Sequence, residues 1–209
     1  MISLPDLLSR AIDDLHACGA EFAVVGGLAV GVHSEPRFTS DVDLAILSED
    51  DQSAEQLTVA MFHRGYQLVS QLENKPNKRL RAVRLKLARE ENCPLVDLLF
   101  AASGIEPEVV HNAVVAEVFP GISAPVARPA ELIAMKLLAS DNHHRHFDNR
   151  DMVVLIRDAD SATIEIVLDR LALIETRGWN RSRDLKAELE TLLQKIGWPD
   201  NMASPDFEG

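Results

Sequence analysis

The sequence predicts an α/β (α+β) protein, a mixed sheet flanked by helices and followed by a C-terminal helical bundle. Three observations predict it. Short apolar runs of strand character alternate with segments of helical spacing over residues 1–127. Past Arg128 the alternation stops, and the segments 130–139, 148–158, 162–176 and 182–196 all repeat their apolar residues at helical spacing. Between the first two apolar runs, Gly26-Gly27 leads through a polar loop to Asp41-Val42-Asp43, which places acids at the mouth of a strand.

Each element has its own reason. Leu7, Leu8, Ile12 and Leu15 fall on one face of a helix over 5–18. Phe, Val and Val suit a buried strand at 22–25. A helix opens over 28–32, and a second strand runs over 41–47. Residues 53–64 read as a helix with Ser53 as N-cap and Gly65 as its stop. Segments 66–72 and 81–88 alternate like half-buried strands, Glu91-Asn92 reads as a turn, and 94–100 is the next strand. Helical spacing continues over 106–118, and 122–127 closes the half as a short strand. Pro129 stands where the first turn of a helix tolerates proline. The expected organisation is therefore an α/β core over 1–127, a helical region over 128–198 and a polar, disordered tail over 199–209.

Composition narrows the class. The chain has 209 residues, 46% hydrophobic and 26% charged, which is ordinary for a globular protein. No apolar run approaches the roughly 18 residues of a membrane span. The first residues lack the basic start of a secretory signal. Cys18 and Cys93 are too few for a disulfide framework. The reading is a soluble, reduced, cytoplasmic protein with no membrane partner. The net charge of −12 counts against an extended nucleic-acid duplex as partner, because phosphate neutralisation supplies much of such affinity. Lys75, Lys78, Arg79, Arg81, Arg84, Lys86 and Arg89 form one local exception, read either as a solvated or edge-guarding strand face or as an electropositive wall for a triphosphate or RNA end.

The acids carry the chemistry. Residues two apart on a strand share a face, so Asp41 and Asp43 project together, roughly 6.6 Å apart along the strand. Two carboxylates so placed repel, and a divalent cation offsets the repulsion, since Mg²⁺ is commonly held by one or two carboxylates plus substrate phosphates. Gly-Gly at a strand end permits close approach of a phosphate, and the helix start behind it favours anions. Asp97, inside Leu95-Val-Asp-Leu-Leu-Phe100, is the third acid: a charge within an apolar run asks for a partner, unless it is a strand end open to water. As a metal ligand it also stands to take the proton of an attacking hydroxyl. Arg37 offers a donor fork to phosphate or a salt bridge to Glu35 or the paired aspartates. Thr39 either caps the turn or donates to phosphate. Lys136 is a snorkelling lysine or a point charge for a β- or γ-phosphate. Asp148 and Asp151 share a helix face, with an N-cap role open to the first and a pairing with Lys136 or Arg145 open to the second. His143, His144 and His146 read as a solvated loop rather than a metal site, and His33 as a helix-end packing residue or a contact to base or phosphate.

The pattern Gly26-Gly27, Arg37-x-Thr39-x-Asp41-Val42-Asp43-Leu44 resembles the nucleotidyltransferase superfamily that includes DNA polymerase β. More narrowly it resembles the AbiEii-type nucleotidyltransferases of bacterial toxin–antitoxin and phage-defence systems, over about residues 20–160. The resemblance implies that Gly26 and Gly27 start a triphosphate-holding helix, that Asp41 and Asp43 bind Mg²⁺ (or Mn²⁺), and that Asp97 is the third carboxylate. It also matches Lys136 to a lysine helix, and Arg145, Asp148 and Asp151 to an arginine–aspartate–aspartate spacing. The expected function is transfer of a nucleoside monophosphate from a nucleoside triphosphate to an acceptor (an RNA end, a protein hydroxyl or a small molecule), in the toxin of a toxin–antitoxin pair with a cognate partner. The rival readings are a non-catalytic antitoxin or nucleotide-binding module of the same fold, and a metal-dependent hydrolase using the same acids.

Overall fold

Among the described residues, strand β1 (Phe22–Val24) is an interior strand of a seven-stranded mixed sheet, and all three of its residues are buried. The computed structural model describes residues 2–34, 38–73, 80–90, 93–140 and 146–199, with the backbone alone over 146–149. The chain forms two units that divide between Arg128 and Pro129. In the first, β1 pairs antiparallel with β2 (Asp41–Ile46), which pairs in parallel with β5 (Leu95–Leu99). Next come β4 (Leu80–Leu87) and the edge strand β3 (Tyr66–Glu73), both antiparallel to their neighbours. On the other side of β1 lie parallel β7 (Ile122–Val126) and then β6 (Val114–Phe119), so the order is β3-β4-β5-β2-β1-β7-β6.

The helices of this unit cover the sheet. Helix α1 (Leu4–Ala17) starts at Ser3, whose hydroxyl accepts from the Asp6 N–H, and buries Leu7, Leu8, Ala11, Ile12 and Leu15. Helix α2 (Gly26–His33) follows β1 directly and takes in both glycines. Helix α3 (Asp51–His63) is capped by Asp50 rather than by Ser53. Ser53 sits three residues inside, where its N–H donates to Asp50 (2.8 Å) and its hydroxyl accepts from the Asp50 N–H (3.2 Å). An ionised carboxylate at the cap gains from the helix N-terminus as well as from the hydrogen bond, so the aspartate takes the outer place.

One element departs from expectation. The helical spacing read over 106–118 breaks: α4 spans only Glu106–His111, and Val114–Phe119 is strand β6. The β-branched pair Val114-Val115 favours a pleated surface, and Pro120-Gly121, with Gly121 at φ 79°, turns the chain into a hairpin with β7. Tertiary pairing here overrides a plausible local helix.

The second unit is helical: α5 (Pro129–Ala139), α6 (His146–Arg157), α7 (Ser161–Thr176) and α8 (Leu185–Ile196). Helix α5 packs against the other three and is buried almost throughout. Arg183 donates to the carbonyls of Leu137 and Leu138 (3.0 Å each), satisfying the last turn of α5. Among the described residues, no helix is long and apolar enough to cross a membrane. The expected turn at Glu91-Asn92 and residues 200–209 of the expected tail lie outside the described residues.

Candidate active site

The register of three adjacent strands builds the site. Asp43 pairs with Asp97 across β2 and β5, and Asp97 pairs with Arg84 across β5 and β4. Directly paired residues project from the same face of a sheet, so Arg84, Asp97 and Asp43 form one row. Asp41, two positions before Asp43, stands on that face also. Val42, Leu44, Val96 and Leu98 alternate with these acids and are buried on the opposite face, which fixes the register. The apolar alternation thus presents the charged row as a consequence of core packing.

Gly26 closes the row at the head of α2. Its φ is 62°, in the left-handed region, and a Cβ built there would fall 2.0 Å from the Asp43 carboxylate oxygen Oδ2 and 2.8 Å from Asp43 Cβ. Only glycine lets the backbone lie this close to the carboxylate. The Val25 N–H also donates to the Asp43 carbonyl at 2.9 Å, which ties the strand end to the helix start. The N-cap, Val25, has no side chain able to cap the helix.

Arg84 is the residue that strand-by-strand reading overlooks. Its Nε donates to Asp97 Oδ1 at 2.8 Å and its Nη2 to Oδ2 at 2.6 Å, while Nη2 lies 3.6 Å from Asp41 Oδ2. The hydrogen bonds to Asp97 hold the guanidinium pKa above its ordinary value against the desolvation that opposes it; the charges of Asp97, Asp41 and Asp43 add to the effect. Among the basic residues of its stretch, Arg81 instead donates to the Ala102 carbonyl at 2.8 Å. The strand carrying Arg81, Arg84 and Lys86, β4, is internal and guards no edge. Lys75, Lys78 and Arg79 lie outside the described residues. The available signal was the alternation of Arg84 and Lys86 with buried Val83, Leu85 and Leu87, which puts both cations on one face of β4.

Just past β5, buried Glu106 accepts from the N–H groups of Ala102 (2.7 Å), Ser103 (2.6 Å) and Gly104 (2.9 Å) and from the Ser103 hydroxyl (2.9 Å). That nest fixes the chain leaving the Asp97 strand. His33 places its Nε2 2.8 Å from the Ala127 carbonyl, which anchors the far end of α2 by packing. Thr39 is half-buried in the segment entering β2. Arg37, His143, His144 and Arg145 lie outside the described residues.

In the helical unit Lys136 donates to Asp151 Oδ2 at 2.7 Å, and both side chains are almost wholly buried. Asp148 belongs to the backbone of α6 and its side chain is outside the described part. Glu131, buried in α5, pairs with Arg170 at 3.0 Å. A cleft of about 800 Å³ in the first unit is lined by Ile46, Leu47, Ser48, His63 and Arg64, at the end of β2 away from the acids. Volume therefore does not mark this site; the charged row does.

The donor set suits a hard cation. The carboxylate oxygens of Asp41, Asp43 and Asp97 are the ligands Mg²⁺ and Mn²⁺ prefer. Among the described residues no three acids, histidines or cysteines stand close enough to hold one ion as they are. Both oxygens of Asp97 are committed to Arg84.

The model of the family described as nucleotidyl transferase AbiEii toxin, type IV toxin–antitoxin system, matches residues 6–204. Two solved structures of one protein share the fold at low identity, and a third is similar to a lesser degree. The solution structure of the antibiotic-resistance factor ANT(2'')-Ia is 15% identical with a TM-score of 0.53, covering 90% of this chain and 96% of its own. A crystal structure of ANT(2'')-Ia with adenylyl-2''-tobramycin is 14% identical with a TM-score of 0.52, covering 82% and 96%. An antigenic nucleotidyltransferase-like protein of Paracoccidioides brasiliensis is 18% identical with a TM-score of 0.47, covering 93% and 88%. No curated protein sequence matches the chain.

Proposed function

The chain belongs to the AbiEii family of nucleotidyl transferase toxins and is thus a nucleotidyltransferase, and from that premise we propose that it moves a nucleoside monophosphate from a nucleoside triphosphate to an acceptor hydroxyl as the toxin of a toxin–antitoxin pair. The observation that carries the site assignment is the row Asp43–Asp97 across parallel strands, with Asp41 on the same face and Gly26 pressed against Asp43. Asp41, Asp43 and Asp97 would hold Mg²⁺ or Mn²⁺, which when bound neutralises charge on the phosphates.

The chain's own groups do the rest. The start of α2 at Gly26-Gly27 offers backbone N–H groups and a positive dipole end to the triphosphate. Arg37 and Thr39 supply further phosphate donors. Asp97 accepts the proton of the attacking hydroxyl. The hydroxyl oxygen bonds to the α-phosphorus, the bond from that phosphorus to the β-bridging oxygen breaks, and pyrophosphate leaves. Positioning and charge neutralisation account for the acceleration, as in phosphoryl transfer generally.

The test is a transfer assay with the full chain, Mg²⁺ or Mn²⁺, each α-labelled nucleoside triphosphate in turn, and a cell extract as acceptor source. Label is expected on an acceptor with the wild-type chain. The Asp41→Asn/Asp43→Asn variant, folded by circular dichroism, should lose at least about 100-fold of that rate, the scale of removing one electrostatic stabiliser. Undiminished transfer by the variant would refute the carboxylate assignment. Release of free nucleotide with no labelled acceptor would favour a hydrolase.

A further inference from the structure

Arg84 binds two of the three acids read as cation ligands. Its fork takes one lone pair on each oxygen of Asp97, at 2.8 and 2.6 Å, and reaches to 3.6 Å from Asp41, so one guanidinium bridges two of the three acids. No three acids among the described residues converge while it does so. A residue that only orients a ligand leaves an oxygen for the ion and is enclosed in its place. Arg84 engages both oxygens at once, and its side chain is 41% exposed on a flexible stem, so water is at hand to take its place.

We propose that Arg84 is a displaceable counterion of the carboxylate site: it holds Asp97 and Asp41 together in the metal-free protein, and a divalent cation binds by expelling the guanidinium from Asp97. This rests on the reading of the three aspartates as cation ligands. Arg84 is a positioning residue in this scheme, since it acts on the acids and not on the reacting atoms. The physical basis is competition between like charges: an ion on the lone pairs that the fork leaves would stand close to the guanidinium and repel it, and the fork neutralises the repulsion that otherwise spreads the acids. The guanidinium thus lowers the apparent affinity for the ion while keeping its ligands assembled.

The sign of one measurement separates this from an orienting role. Mn²⁺ binding to the nucleotide-free full chain is measured by calorimetry, with melting temperature without metal as a second readout. Arg84→Met keeps the stem and removes the fork. It should bind Mn²⁺ at least about 10-fold more tightly than wild type and melt lower without metal. Loss of a residue that orients a metal ligand instead weakens binding, typically by about 10- to 100-fold. Lys86→Met removes the same charge two positions along the same strand face and should change affinity only slightly, which isolates the fork from general electrostatics. Should Arg84→Met fail to fold, Arg84→Lys, which keeps a charge without the fork, should still bind more tightly than wild type. Asp97→Asn should lose the ion. Equal or weaker binding by the Arg84 variants, or an equal gain in Lys86→Met, overturns the proposal and leaves the metal reading standing. No Mn²⁺ binding by any of the proteins overturns both.

Discussion

Two ion pairs of this protein have nearly the same length and different surroundings. Lys136–Asp151, at 2.7 Å, leaves 9% and 4% of its side chains exposed, while Arg84–Asp97, at 2.6 Å, leaves 41% and 14%. The buried pair has no water to replace a lost partner, so each ion depends on its protein partners. The half-exposed pair has solvent at hand, and its cation can leave. Bond length says little about what a pair is for; the availability of a substitute partner says more. The helical unit holds a fixed charge pair, and the sheet unit presents an exchangeable one.

The largest effect that would break this comparison comes from the buried pair. Lys136→Met leaves Asp151 buried without its principal cation and should cost about 3–5 kcal/mol, the range for halving a buried pair. The double variant Lys136→Met/Asp151→Leu should recover most of that loss, because both charges go together. Arg84→Met should cost less than Lys136→Met, because solvent can reach the half-exposed guanidinium's partners, but more than an ordinary surface pair because the fork is bidentate. Urea unfolding of the full chain measures all three. Equal costs at the two pairs would show that exposure does not distinguish them.

Half of this comparison was legible in the sequence. Asp41-Val42-Asp43-Leu44 announces a strand with acids on one face, and Asp97 draws notice as a charge in an apolar run. The strands β2 and β5 that carry them follow from local pattern alone. Arg84 did not, because its pairing with Asp97 depends on the register of two strands separated by a turn, and no local periodicity encodes that register. The same limit explains β6: Val114–Phe119 continues a helical spacing if read alone, and becomes a strand because β7 lies beside it. The Asp50 cap was missed for a smaller reason, since Asp50 and Ser53 are both good caps and only the reciprocal bonds between them decide the order.

An intermediate effect sharpens the contrast at the other end of the charged row. Gly26 and Gly19 have almost the same φ, 62° and 68°, but a Cβ on Gly19 meets nothing within 4 Å whereas one on Gly26 collides with Asp43. Gly26→Ala and Gly19→Ala should therefore share a backbone cost of roughly 1–2 kcal/mol. Only Gly26→Ala should also displace the Asp43 carboxylate, with a further loss of stability and at least about a 10-fold fall in transfer rate, the scale of misplacing an electrostatic group. Unfolding and transfer measured on both variants separate strain from collision. Equal transfer rates would mean that the contact with Gly26 does not set the position of Asp43.

The smallest effect belongs to an exposed charge, which extends the comparison to its solvated limit. Asp160 caps α7, its Oδ1 accepting from the Thr163 N–H at 2.8 Å. The hydrogen bonds from Thr163 hold its pKa below the ordinary aspartate value. A carboxylate with a lower pKa in the folded than in the unfolded chain contributes stability that is present above the unfolded value and is lost as pH falls through the folded one. Asp160→Ala should therefore melt slightly lower than wild type at neutral pH, and the gap should narrow as the solution is acidified through the aspartate range. Asp160→Asn keeps an accepting oxygen and should stay close to wild type at neutral pH. Melting curves taken from neutral pH downward decide it: a gap for Asp160→Ala that does not narrow would show that the uncharged helix start, not the ionised cap, carries the difference.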